Sequence, residues 1–224
     1  MSYSSNWTNR TSIFDNGDTI EGDHVKALYD ELGEDPGSIF EGIGLPYRSG
    51  SFVPLNQGMV SANTFTFDAL SLWPFLLSRS VMFDRIGVYV TVIGSALTVT
   101  RLGIYRSTAN GTPSTLVSGS EVTQSGTVLS ASTDTGNVIS VALTPGRYYA
   151  AAVVQGSGTS PTLQRASTPL EALTAVSSTN YAVAHNTNIS CLFLAGVSGA
   201  LPADLTSSSV AHGSSAPSIV ARMV

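Results

Sequence analysis

From Phe52 onward, apolar and polar positions alternate with a period of two over much of the chain. In FDRIGVYVTVI, Ile86, Val88, Val90 and Val92 are apolar, while Arg85, Gly87 and Thr91 stand between them. A strand with one buried face shows this pattern. Phe65, Phe67 and Ala69 alternate in the same way, as do Ile139, Val141 and Leu143, which lie between the turn candidate Asp134 to Asn137 and the pair Pro145-Gly146. RYYAAAVVQ is apolar in both phases, which predicts a central strand covered on both sides. Further strands are expected around Leu97 to Tyr105, Val128 to Leu129, Ile189 to Leu194 and Ile219 to Val224. About eight strands separated by turn chemistry predict an antiparallel β-sandwich or jelly roll. Gln155 to Asn188 reads as a long loop or as irregular strands, and no fixed-period repeat is evident.

The period changes in the N-terminal part. After FDNGDT, Asp18 can cap a helix with Glu21 three residues later, and Val25, Leu28, Tyr29 and Leu32 recur at helical spacing before Gly33. A helix of about three turns is marginal alone in water, where roughly 12 to 15 residues are needed, so its apolar stripe requires a partner surface. Asp35 to Ser51 is rich in Gly and Pro and reads as a linker. The chain thus divides into an N-terminal segment, 1–45, and a β domain, 46–224.

Composition sharpens this division. Charged residues are only 11% of the 224, whereas Ser and Thr number 56; polarity is carried by hydroxyls, which suits the exposed faces and loops of β structure. The net charge is −5. Nine acids and the single Lys26 lie between Asp15 and Glu41, so that segment carries −8, and the rest, with six acids and nine arginines, carries +3. Neither part offers the broad basic surface that a phosphate backbone needs, and no nucleic-acid partner is expected. Cys191 is the sole cysteine, which excludes an intramolecular disulfide and a multi-cysteine metal site; within SCLFLAG it reads as a packing residue. No apolar run approaches about 18 residues and MSYSSNWTNR has no secretory pattern, so a soluble chain made in a cytoplasm, without membrane insertion, is expected.

Candidate chemistry is sparse. G-x-S-x-G, P-loop, H-E-x-x-H and EF-hand patterns are absent, and His24, His185 and His212 are far apart. Outside the acidic segment the acids Asp68, Asp84, Glu121, Asp134, Glu171 and Asp204 are scattered, whereas glycoside hydrolysis needs two carboxyls about 5 to 10 Å apart. No catalytic, cofactor-binding or metal-ligating residue is assigned, no cofactor is expected, and the chain is read as a non-enzyme. Trp73, Tyr105 and Tyr148 could offer ring faces to a sugar. The competing reading has Trp73-Pro74-Phe75 sealing the core and Tyr149 sharing a face with Ala151 and Val153. Asn110, in the loop Asn110-Gly111-Thr112-Pro113, is a further candidate contact, because loops at sandwich ends are where such folds place recognition.

Two sets of residues carry a family resemblance. SIFDNGDTIEGDHVKALYDEL is similar to the F-x-x-G-x-x-I plus short helix that opens many virion proteins. The blocks FDRIGVYVT, RLGIYRSTANGTPSTLV, LTPGRYYAAAVVQG and SGALPADL, with a final strand after Ala216-Pro217, resemble a jelly-roll-like domain of tailed-bacteriophage appendages and of phage-derived gene transfer agents: fibre, spike and minor tail proteins. The resemblance implies a jelly-roll-like sandwich behind an N-terminal helical anchor. Phe14, Ile20, Val25, Leu28 and Leu32 would dock on capsid or tail proteins. The sandwich would form a trimer or pentamer on the virion, synthesised in the host bacterial cytoplasm, and contact host surface polysaccharide. Two alternatives remain open: a capsid decoration or fibre-base adaptor without a host ligand, and a capsule-degrading hydrolase.

Overall fold

A computed structural model describes residues 49–55, 61–129, 136–166, 191–213 and 216–224, all within one unit of the chain, Glu41–Val224. The predicted helix, its anchoring residues Phe14, Ile20, Val25, Leu28 and Leu32, most of the linker, and 167–188 of the illegible stretch lie outside the described residues. Within them the chain is mainly β, every strand pairing is antiparallel, and no helix occurs.

In chain order the strands are β1 (Phe52–Pro54), β2 (Ser61–Thr64), β3 (Ala69–Leu77), β4 (Val81–Val88), β5 (Val90–Val92), β6 (Val99–Ser107), β7 (Pro113–Leu116) and β8 (Val122–Ser125). They are followed by β9 (Asn137–Leu143), β10 (Gly146–Gln155), β11 (Thr162–Ala166), β12 (Cys191–Ala195), β13 (Ala211–Gly213), β14 (Ala216–Pro217) and β15 (Ile219–Met223). A first sheet has the order β1-β15-β4-β9, and a second runs β13-β12-β3-β10-β6-β7 with β8 also on β6. A small third sheet runs β14-β11-β2 with β5 on β11.

Strand β10 fixes the layering. Its two-phase apolar sequence sits between β3 and β6, with Tyr149 opposite both Pro74 and Tyr105. Tyr148, Ala150, Ala152 and Val154 enter a core shared with Phe83, Ile86, Val141, Leu143, Ile219 and Met223 of the first sheet. Tyr149, Ala151 and Val153 turn to the opposite face and pack with Leu70, Leu72, Val197, Leu201 and Leu205. Small alanines in the middle of the strand let both layers approach closely. Pro74, inside β3, lies beyond Leu72, the last β3 residue paired with β12 among the described residues, and its described partner strand is β10, where it faces Tyr149.

The second face of this sheet is sealed by a strap without regular strands, residues 196–210, which contains the SGALPADL block. Its backbone is tied down at Val197 N to Asp68 O (2.9 Å), Leu116 N to Ala203 O (3.0 Å) and Leu205 N to Ser114 O (2.9 Å). Gly103 explains itself here. A Cβ at this position would stand 2.6 Å from Leu201 Cδ1 and 3.1 Å from Leu116 Cδ1, so a glycine in a strand interior marks the close approach of the strap. Gly103→Ala is expected to cost about 1 kcal/mol in urea denaturation, since the leucine ends can yield by a few tenths of an ångström.

The period-two readings of β4 and β9 match the described strands, and their inward residues Ile86, Val88, Ile139, Val141 and Leu143 are buried, while the strand expected at Ile219 to Val224 is β15. Three expectations are corrected. Phe65 to Ala69 is not one strand: β2 ends at Thr64, and a turn with Asp68 at φ 58° precedes β3. Val128 and Leu129 form no strand and are exposed; β8, just before them, pairs with β6 instead. Val92, read as an inward residue, is 54% exposed because β5 has left the first sheet.

Candidate functional site

Each residue proposed from sequence can now be placed. Trp73 is fully buried beside Cys191 and Ala216, which makes Cys191 a packing residue in the described structure. Tyr105 is fully buried, and its hydroxyl donates to Pro202 O at 2.7 Å, pinning the strap. Tyr148 is 2% exposed, stacks on Phe75 with centroids 5.8 Å apart, and donates its hydroxyl to Thr144 O. Burial pushes the Tyr105 phenol far above its ordinary range, and the Glu121 charge adds to this, so it stays a donor. These three rings are covered on both faces and offer no stacking platform to a ligand.

Asn110 is exposed, as expected, at the tip of the loop between β6 and β7. That loop is closed by Thr108 N to Thr112 O (2.8 Å) and by a contact of 2.8 Å between the two threonine hydroxyls. Gly111, at φ 80°, makes the turn, accepts the Tyr149 hydroxyl at its carbonyl, and lies against the Arg147 guanidinium. The loop is thus fastened to the sheet, with Asn110 on its outer side.

The four described acids have separate surroundings. Asp84 pairs with Arg222, whose hydrogen bond holds its carboxyl below the usual range. Glu121 meets Arg101 at 3.3 Å and accepts Leu201 N at 2.9 Å. Asp204 accepts the Thr206 hydroxyl and N–H, which lower its pKa. Asp68 forms the turn before β3, where its backbone N–H donates to Val154 O and its carbonyl accepts Val197 N.

A cleft of about 380 Å³ opens elsewhere, at a place sequence reasoning did not single out. Two neighbouring strands change sheets side by side. One breaks at Tyr89, between β4 in the first sheet and β5 in the third; the other breaks at Ser218, between β14 in the third and β15 in the first. Gln164 of β11 bridges the two breaks with its backbone: its N–H donates to Tyr89 O (2.9 Å) and its carbonyl accepts Ser218 N (2.7 Å). On the other side of β4, pairing with β9 ends at Ile86 opposite Asn137. The Gln124 carboxamide continues it, accepting Val88 N at 3.1 Å and donating to Val88 O at 2.8 Å, while Asn137 Nδ2 donates to Gln124 Oε1 at 3.2 Å.

The divergence of the strands leaves a hollow lined by Phe52, Tyr89, Gln124, Asn137, Gln164 and Ser218, with Val128 and Leu129 at its margin. Phe52 is 37% exposed, Tyr89 43%, Val128 63% and Leu129 54%. Among the described residues, no Asp, Glu, Lys or Arg lines it. Such a surface combines apolar rings with uncharged hydrogen-bonding groups, and it can hold a neutral, amphipathic ligand. The one signal in the sequence was the odd phase of Tyr89, an aromatic among the outward positions of FDRIGVYVTVI. Comparison with family models, with curated proteins and with solved structures finds no match for this chain.

Proposed function

We propose that this chain is a structural protein of a tailed-phage particle or phage-derived gene transfer agent, a fibre, spike or minor tail component. It docks through residues 1–45 and contacts the host surface, a polysaccharide, through its β domain. The finer architecture of that domain is a jelly-roll-like sandwich, a reading supported by the core that takes side chains from both large sheets. The observation that carries the functional reading is the uncharged cleft of rings and carboxamides on a rigid β scaffold, whose loops are rich in hydroxyls. Hydroxyl and amide groups exchange water for sugar hydroxyls at low desolvation cost, whereas charges would not. Assembly as a homo-oligomer with other virion proteins belongs to the same proposal.

Deleting residues 1–40 is expected to leave a folded domain with an unchanged β-type circular dichroism spectrum that no longer co-purifies with particles. Incorporation of the truncated chain at the full-length level would refute the anchoring role. A second reading, capsid decoration or fibre-base adaptor, is favoured by the apolar tip between β5 and β6, where Val92, Ile93 and Leu97 are 54%, 50% and 74% exposed, a surface suited to a neighbouring subunit. Retention on host envelope polysaccharide separates the two, because an adaptor retains nothing.

A further inference from the structure

We infer that the cleft at the double strand switch is a binding site for a short, uncharged saccharide, with Tyr89 as its apolar platform and the Gln164 carboxamide as its principal hydrogen-bonding group. The inference rests on the surface-binding reading above and narrows it to one place and one ligand class.

Four observations carry it. First, the neighbouring glutamines are used differently. The Gln124 carboxamide is consumed by Val88 and Asn137. Gln164 spends only its backbone on the fold, its side chain makes no hydrogen bond among the described residues, and it lines the cleft. Second, Tyr89 and Phe52 remain 43% and 37% exposed in a chain whose other tyrosines in the second sheet, Tyr105, Tyr148 and Tyr149, are buried. Third, no described lining residue is charged, and Arg222, whose guanidinium lies 5.9 Å from the Phe52 ring centroid, is already paired with Asp84, so the described lining disfavours anionic or cationic ligands, whose desolvation it does little to offset. Fourth, at the strand breaks themselves the Tyr89 carbonyl, the Gln164 N–H and carbonyl and the Ser218 N–H already bond one another, so these groups are not open to ladder bonds with an extended peptide. A sugar ring, with an apolar C–H face and a rim of hydroxyls, matches what remains. A volume of about 380 Å³ lies at the small end of ligand pockets, roughly 300 to 1,000 Å³, which suits a short saccharide rather than a long run of polymer.

The test uses the full chain and two variants, Tyr89→Ala and Gln164→Ala. Both remove side chains at a partly exposed surface and leave the backbone bridge intact, so circular dichroism and the urea midpoint should match the parent. Retention on immobilised host envelope polysaccharide is measured first, then calorimetric affinity for neutral oligomers of glucose, galactose, mannose and N-acetylglucosamine, with uronic-acid oligomers as the charged comparison. The parent is expected to bind a neutral oligomer with an affinity changed less than about twofold by salt. Tyr89→Ala should weaken it about tenfold and Gln164→Ala severalfold. If the parent is retained and both variants are retained equally well, the cleft assignment is overturned while the surface-binding function stands. If the parent binds only the uronic-acid oligomers, the neutral-ligand claim is overturned. If the variants keep polysaccharide retention but lose incorporation into particles, the cleft is a protein-docking site and the inference fails. No retention of the parent on any polysaccharide overturns the host-surface reading and the inference with it.

Discussion

Replacing Gln155 by leucine is expected to lower the unfolding free energy by about 3 kcal/mol, with the urea midpoint falling at nearly unchanged slope. Gln155 closes β10 and is 6% exposed. Its carbonyl oxygen accepts Arg101 Nε at 2.8 Å, and its amide donates to Val197 O at 2.7 Å and to Gly199 O at 2.8 Å. Leucine nearly conserves the volume but removes three bonds, two of them to the strap that covers the second core. The Arg101 guanidinium also reaches Glu121 and Thr123, so Arg101→Ala, which spares the two strap bonds, should cost only about 1 kcal/mol. Hydrogen exchange gives the discriminating readout. In the Gln155→Leu protein the amides of Val197, Leu201 and Leu205 should lose protection, while those shared by β3, β6 and β10 keep theirs. Equal protection across the strap would show that its other hydrogen bonds and the packing of Leu201 and Leu205 hold it without Gln155.

The ties of the strap to distant residues mark where the sequence stops being readable. Period two locates a strand and its inward face, and it did so for β4 and β9, because burial on one side leaves a local record. The two-phase run of β10 likewise recorded cover on both sides, although nothing local identified what the second cover was. SGALPADL carries no period of two or 3.6, since its leucines enter the core from an irregular backbone held by distant partners: Gln155 at Gly199, Glu121 at Leu201 and Tyr105 at Pro202. Tyr105 and Tyr148 could be read as ring faces for the same reason. A tyrosine whose hydroxyl finds a carbonyl at a loop end is fully compatible with burial, and its partners, Pro202 and Thr144, are fixed only by the tertiary arrangement.

The cleft was illegible on different grounds. FDRIGVYVTVI looks like one strand because alternation continues through Tyr89, yet the chain changes sheets there while keeping its phase. The inward side is kept as far as Val90 and lost at Val92, and what changes at Tyr89 is the set of neighbours, which is not a local property. Tyr89, Gln164 and Ser218 are 54 or more residues apart in pairs and meet because β11 crosses both breaks. The contacts chosen from sequence were three aromatics, Trp73, Tyr105 and Tyr148, picked for their ring faces, and the loop residue Asn110, whereas the exposed rings of the cleft, Phe52 and Tyr89, lie at the start of β1 and between β4 and β5.

Gln124→Glu is the sharper test of how that division is held open. The carboxamide stands where the next residue of β9 would have paired with Val88, and it must both accept and donate. A carboxylate of the same shape still accepts Val88 N and Asn137 Nδ2, but it cannot donate to Val88 O and sets negative charge against that carbonyl. At neutral pH the variant should be about 2 kcal/mol less stable than the parent. Protonation restores a donor, so the folded state favours the neutral acid and its pKa rises above the unfolded value of about 4.3. A group with a raised folded pKa contributes stability that is present at low pH and lost as pH rises through that folded pKa. The deficit of the variant should therefore shrink as pH falls from about 7 to about 5. Asp84 acts in the opposite sense, because Arg222 depresses its pKa and its contribution is lost only as pH falls through that lower value. It is common to both proteins and cancels in the difference of their urea midpoints. Gln124→Ala, which can neither accept nor donate, should show a deficit independent of pH. A Gln124→Glu protein as stable as the parent at neutral pH would mean that the strand switch, and the cleft it opens, persist without the carboxamide pairing.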